Sequence, residues 1–189
     1  MRRYGTLALL CSLVTGCATT DFIPGPPAYK TVKPGSILKL NQTLTIDPHS
    51  AGVRIQNGKI TPNKLINQWY PNCRFEVRNP KDTQQIVQPE EFTITRVTYE
   101  NYLVKADNVM LASVGIGISL GGGGDDGGPT ADVHSTYFYI TSETQPEVSR
   151  LLCEHWEDPA DARHLMLEEI QQTLGGIIDI KATPSQGNP

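Results

Sequence analysis

Four cysteines carry most of the chemistry legible in this chain, and Cys17 has the most specific setting. It stands directly after Val14-Thr15-Gly16, at the end of an apolar run that begins behind two arginines. A thiolate is the one soft side-chain nucleophile suited to taking up a diacylglyceryl group, and small Gly16 leaves a peptidase room to cut the bond before Cys17. The pattern predicts a cysteine that is first acylated and then becomes the mature N-terminus.

Arg2 and Arg3 form a positive n-region, and Leu7 to Leu10 with Leu13 and Val14 form the apolar stretch. At about ten residues it is too short for a bilayer core of roughly 30 Å. Residues 1–16 are therefore expected to be an export signal ending in a lipobox, not a membrane helix. Each buried methylene contributes about 0.8 kcal/mol, so two or more acyl chains on Cys17 would anchor the chain stably. Ala18 replaces the aspartate that would resemble an inner-membrane retention signal, which points to the outer membrane and its periplasmic face.

Removing that segment takes away two bases and no acids, leaving 14 basic against 20 acidic side chains and a net charge of −6. Such a surface lacks the excess of Lys and Arg that phosphate backbones require, so no nucleic-acid partner is expected. Cys11 leaves with the signal and Cys17 carries lipid. Cys73 and Cys153 remain, in an oxidising compartment where a disulfide is the natural pairing. A metal site made of Cys73, Cys153 and His155 is the alternative, but the spacing fits no established ligand pattern, and no metal or cofactor is expected.

Other candidates are weaker. The run Gly121 to Gly124, Asp125-Asp126 and Gly127-Gly128 lacks both the lysine and the following helix of a phosphate loop, and the alternating oxygens of a calcium loop. Residues 121–128 read as a loop between a strand near Val114 to Leu120 and one from Val133. His49, His134 and His164 stand singly and are expected at the surface or satisfied by hydrogen bonds, and Glu90-Glu91 after Pro89 reads as solvated charge. With no nucleophile elbow, no paired histidine motif and no serine beside an obvious partner, no catalytic residue is assigned. Trp69, Tyr70 and Trp156 flank the two cysteines. A bridge would bring them together, either as packing against the disulfide or as an aromatic rim for a partner protein or glycan.

These side chains need a scaffold. Only 7% of residues are aromatic while Thr, Val, Ile, Gly and Pro abound, which suits one β-rich domain. Residues 17–35, with Pro24, Pro26, Pro27 and Pro34, read as an acylated cysteine plus a proline-rich tether, 36–182 as a single globular domain, and 183–189 as a flexible tail. Leu38, Leu40, Leu44 and Ile46 alternate like one half-buried strand ending at Asp47-Pro48. Val53 and Ile55 begin a second, and Asn57-Gly58 signals a hairpin into Lys59-Ile60. Cys73, Phe75 and Val77 share a core face, and Phe92 to Tyr99 and Tyr102 to Val104 read as two strands about a Glu100-Asn101 turn.

Val133 to Thr141 reads as a strand covered on both faces, and Leu151 and Cys153 point opposite to Leu152 and Trp156. Asp158-Pro159 suggests one helical turn ahead of a main helix. In that helix Met166, Leu167, Ile170 and Leu174 recur at helical spacing before Gly175-Gly176 stops it, and Ile177, Ile178 and Ile180 finish as a last strand. The expected fold class is mainly β: an antiparallel sheet or sandwich-like domain with one C-terminal helix, an α+β variant being possible, stapled by a disulfide.

Tyr70-Pro71-Asn72-Cys73-Arg74-Phe75-Glu76-Val77-Arg78, Pro89 to Val97, Cys153 to Leu165, Glu169-Ile170 and Leu174-Gly175 together resemble a family of uncharacterised proteobacterial lipoproteins. The resemblance implies an outer-membrane lipoprotein and carries over no catalytic residue. The resulting expectation is a lipid-anchored, non-enzymatic binding or structural module of the bacterial envelope, with the membrane as one partner and an envelope protein or glycan as another. A small-ligand or metal-binding lipoprotein and an envelope hydrolase are the alternatives.

Overall fold

Alternating apolar residues give a strand one face that must leave water, and a single sheet can hide that face by curling around it. This chain does so. A computed structural model describes residues 25–105 and 130–183. The expected signal, Cys17, the strand near Val114 to Leu120, the loop 121–128 and residues 184–189 lie outside the described residues.

A single helical turn, α1 (Ala28–Thr31), precedes strands β1 (Ile37–Leu40), β2 (Leu44–Ile46), β3 (Gly52–Gln56), β4 (Lys59–Ile60), β5 (Asn72–Val77) and β6 (Gln85–Val87). The long strands β7 (Glu90–Lys105), β8 (Thr130–Thr141) and β9 (Val148–Glu157) follow, then helix α2 (Leu167–Leu174) and β10 (Ile178–Lys181). Eight strands form one antiparallel sheet in the order β10-β1-β7-β8-β9-β5-β3-β4, and β2 pairs with β6 separately. The sheet is curled. Helix α2 touches β10 at one edge and β3 and β5 near the other, so it bridges the two ends of the curl.

Inside lie Leu38, Leu40, Ile55, Cys73, Phe75, Phe92, Ile94, Phe138, Leu151, Cys153, Ile170 and Leu174, all essentially without exposure. Phe75 and Phe92 meet edge-to-face at 5.8 Å. Full burial of each large apolar side chain contributes about 1.5–3 kcal/mol, so this continuous cluster supplies the main driving force. Cys73 and Cys153 are bonded across β5 and β9, at directly opposed positions.

The mainly β class, the one helix near the C-terminus and the disulfide are as the sequence predicts. The hairpin at Asn57-Gly58 is also present, with both residues at positive φ, as its turn requires. Gly175 ends α2 at φ 54°, and a Cβ there would lie 2.2 Å from the Gly58 Cα, so the hairpin and the helix end meet where neither tolerates a side chain.

Four expectations need correction. The strand expected over Leu38 to Ile46 is two, because Asn41 turns away to hydrogen-bond Asp179 and the Gly176 carbonyl, while all four apolar residues remain buried. The Glu100-Asn101 turn does not exist: β8 continues to pair across it, so β7 runs unbroken to Lys105. The tether expected up to Gly35 joins the domain earlier, because Ala28 and Val32 are fully buried and Pro27 bridges Met166. Asp158 starts a hydrogen-bonded turn, not a helix. Among the described residues no helix is long and apolar enough to cross a membrane.

Candidate functional site

Antiparallel register places residues from successive strands in rows on the outer face of the sheet. Arg96, Tyr139, Arg150 and Glu76 form one such row across β7, β8, β9 and β5. Thr98, Tyr137, Leu152, Arg74 and Arg54 form the next, reaching β3, and Glu100, Ser135, Glu154 and Asn72 form a third. The chain has stacked these side chains by cation–π contact and ion pairing. The Arg96 guanidinium lies 3.9 Å from the Tyr139 ring centroid, and that of Arg150 lies 5.1 Å from Tyr137. Glu76, only 4% exposed, is held between Arg74 and Arg150.

The third row is a closed network. Glu154 accepts from Arg54 and from the Ser135 hydroxyl, both at 3.2 Å, while the Asn72 amide donates to the Glu154 carbonyl. The Tyr137 hydroxyl donates to Glu100 at 3.2 Å, and burial together with that carboxylate pushes the phenol up to about 12. A buried carboxylate with all its bonds satisfied orders strands; its desolvation cost is offset only while every partner stays in place.

The residues expected as a partner-binding rim divide. Trp69 and Trp156 meet edge-on at 6.0 Å, and the Trp156 amide donates to the Gln68 carbonyl. Tyr70 beside them is 60% exposed. The alternation along β9 puts Trp156 on the outer face and Cys153 on the inner, so this pair packs across the sheet from the disulfide and not against it. The disulfide also removes both thiols from the Cys73–Cys153–His155 metal alternative. Among the described residues, no group of three or more His, Cys, Asp or Glu is placed to hold a metal ion.

At the end of the inner face beyond the core, the histidines expected to stand apart come together, which corrects that expectation for two of them. His134 and His155 are cross-strand neighbours on β8 and β9, and His164 lies edge-on to His134 at 4.8 Å. Tyr29 of α1 stacks on Tyr99 at 4.1 Å, and both rings abut His164. The His155 Nε2–H donates to the Arg163 carbonyl at 2.8 Å, and its Nδ1 lies 3.6 Å from Glu157. Among the described residues, neither ring nitrogen of His134 has a hydrogen-bond partner. His49, by contrast, is exposed beside Asp82 as expected.

Burial is the main cause that lowers the His134 imidazole, only partly countered by Asp132, and burial with two neighbouring imidazoles lowers His164 to about 4. Free imidazole titrates near 6.5, so on acidification the unfolded chain takes up these protons first, and folding stability falls from pH 6.5 towards 4. A fully buried ring with this shift would account for about 3 kcal/mol; partial exposure of His164 reduces that to about 1–2 kcal/mol. Glu90 and Glu169 have lowered carboxyls, whose stabilisation is present above 4.5 and is lost only below it. Urea unfolding between pH 7.5 and about 5.5 therefore reads chiefly these two histidines. His164→Gln is expected to flatten that slope, and an unchanged slope would contradict the assignment.

Comparison of the chain with protein families, curated proteins and solved structures found no match. Among the sites expected from sequence, the described residues thus contain the disulfide and a joined Trp69–Trp156 pair. The outer-face rows and the histidine group have no sequence motif; strand register assembles the rows, and register together with the segment before α2 assembles the histidines.

Proposed function

We infer that the chain is a lipid-anchored envelope protein, attached through acylated Cys17 to the outer membrane on its periplasmic face, and that it works by binding instead of catalysis. The motif around Cys17 supports the attachment. The observation that carries the reading is how firmly the first described residues are built into the domain. Pro27 bridges Met166, the Ala28 amide donates to the Leu165 carbonyl at 2.8 Å, and Tyr29 stacks on Tyr99. Pro27 lies only ten positions after Cys17, so whatever its conformation the chain between them spans at most about 35 Å.

An anchor at Cys17 would therefore hold the domain close to the headgroups, with the histidine and tyrosine end of the sheet nearest the tether. The partner reading rests on the polar outer face, whose arginines, tyrosines and tryptophans are the residue types that interfaces favour. Fractionation tests the anchor. Cys17→Ser is expected to move the protein from the membrane to the soluble fraction and to abolish incorporation of labelled palmitate. A Cys17→Ser protein that still sediments with outer membranes would overturn the lipid-anchor reading.

A further inference from the structure

Two strand bulges build a cationic cleft on the outer face. In β7 the pairing with β8 steps from Ile94 opposite Ile140 to Arg96 opposite Tyr139, leaving Thr95 as an extra residue. In β9 the pairing with β5 steps from Arg150 opposite Glu76 to Val148 opposite Val77, leaving Ser149 as an extra residue. Without the bulge at Thr95, strict alternation would put Arg96 on the same face as buried Ile94; without the bulge at Ser149, it would put Arg150 on the same face as buried Val148. Each bulge therefore turns one arginine outward. The two arginines flank Tyr139 of the strand between them.

Arg78, Thr95, Arg96, Tyr139, Ser149 and Arg150 line one open cleft of about 490 Å³, and among the described residues no acidic side chain lines it. Glu76 engages Arg150 from the side, through its Nε, and shares its charge with Arg74. Arg78 and Arg96 have no carboxylate at ion-pair distance among the described residues. Three guanidiniums thus gather on a chain whose formal net charge is −4. Such a gathering repels itself and gains from a counter-anion.

We propose that this cleft binds a phosphate group carried by a small molecule or a lipid headgroup. Guanidinium presents its N–H donors in a planar fork that matches phosphate oxygens two at a time. A carboxylate has only two oxygens, enough for one such fork. A phosphate monoester offers three free oxygens and nearly two negative charges, and so can engage more than one of the three arginines. Stacking on Tyr139 holds the Arg96 fork in place before the anion arrives, which lowers the ordering cost of binding. The proposal deepens the binding-module reading by naming the ligand chemistry, and the two fail separately: anchoring is read at Cys17, and phosphate binding at the cleft.

The test is calorimetric titration of the full-length protein in a nonionic detergent with inorganic phosphate, glycerol 3-phosphate and acetate, against chloride of equal ionic strength. One saturable site for phosphate is expected, strengthening as pH rises through the second phosphate ionisation, which lies near 6 for a monoester such as glycerol 3-phosphate and higher for inorganic phosphate. Arg78→Gln and Arg96→Gln are each expected to weaken it about tenfold or more while the protein stays folded, with Arg96→Gln also losing the cation–π contact with Tyr139. Tighter binding of glycerol 3-phosphate than of inorganic phosphate would assign the site to an esterified, headgroup-type ligand, and the reverse order to the free anion. Absence of a saturable site, equal binding of acetate, or unchanged binding by the Arg78→Gln Arg96→Gln double variant would overturn the proposal.

Discussion

Reducing the Cys73–Cys153 bridge is expected to destabilise the domain by about 2–4 kcal/mol. The bond closes a loop with a sequence separation of 80, and loop-closure entropy for that length has a ceiling of about 4.5 kcal/mol. Residual structure in the reduced, unfolded chain brings the expectation below that ceiling. The position matters as well as the length. β5 and β9 are the junction between the part of the sheet built by β3 to β5 and the part built by β7 to β9, so the bridge ties chain segments that otherwise meet only late in folding. Both sulfurs are fully buried, so Cys73→Ala with Cys153→Ala also loses core packing and should be at least as damaging as reduction. Urea unfolding with and without dithiothreitol measures the difference, and coincident midpoints would show that the bridge contributes nothing.

The second large effect is expected at Glu76. Its carboxylate sits on the outer face yet is almost wholly covered by the two arginines that hold it. Removing one member of a buried ion pair costs about 3–5 kcal/mol, because the partner charges stay behind unpaired. The Arg74 and Arg150 side chains are each about a third exposed, so water recovers part of that cost, and Glu76→Gln should destabilise by about 2–3 kcal/mol. The double variant Glu76→Gln Arg150→Met should be more stable than Glu76→Gln alone, since it removes one orphaned charge and keeps the apolar volume over Tyr137. Urea midpoints of the single and double variants read the coupling directly. Equal stability of Glu76→Gln and the parent would mean that the cover over Glu76 is incidental.

Much of this fold was legible from period and punctuation. Cys73, Phe75 and Val77 alternate with polar residues and occupy the core; Asn57-Gly58 makes its hairpin; Ile170 and Leu174 place α2, and Gly175 ends it. These are local effects, in which a side chain's own backbone preference or its spacing decides the outcome. Glu100-Asn101 shows where local signals mislead. Polar residues that read as a turn continue β7, because the pairing partner β8 fixes their conformation from outside.

The candidate sites were far less legible. The histidines at 134, 155 and 164 have no shared spacing, and they meet only because β8, β9 and the segment before α2 close over one end of the sheet. Arg78, Arg96 and Arg150 lie on three different strand regions, and two of them face outward only because of the bulges at Thr95 and Ser149. One extra residue in a ladder reverses the face of every residue beyond it, and no composition or motif announces where that residue falls.

By itself, then, the sequence determined the expectation of an acylated Cys17, the pairing of Cys73 with Cys153 and the β-rich class with its one helix, because each depends on residue chemistry or on short-range periodicity. Only the tertiary structure decided that Trp69 meets Trp156, that Glu76 is buried between two arginines, and that a phosphate-sized group of guanidiniums stands on the outer face. Those depend on strand order and register, which are set by long-range pairing among residues far apart in the chain.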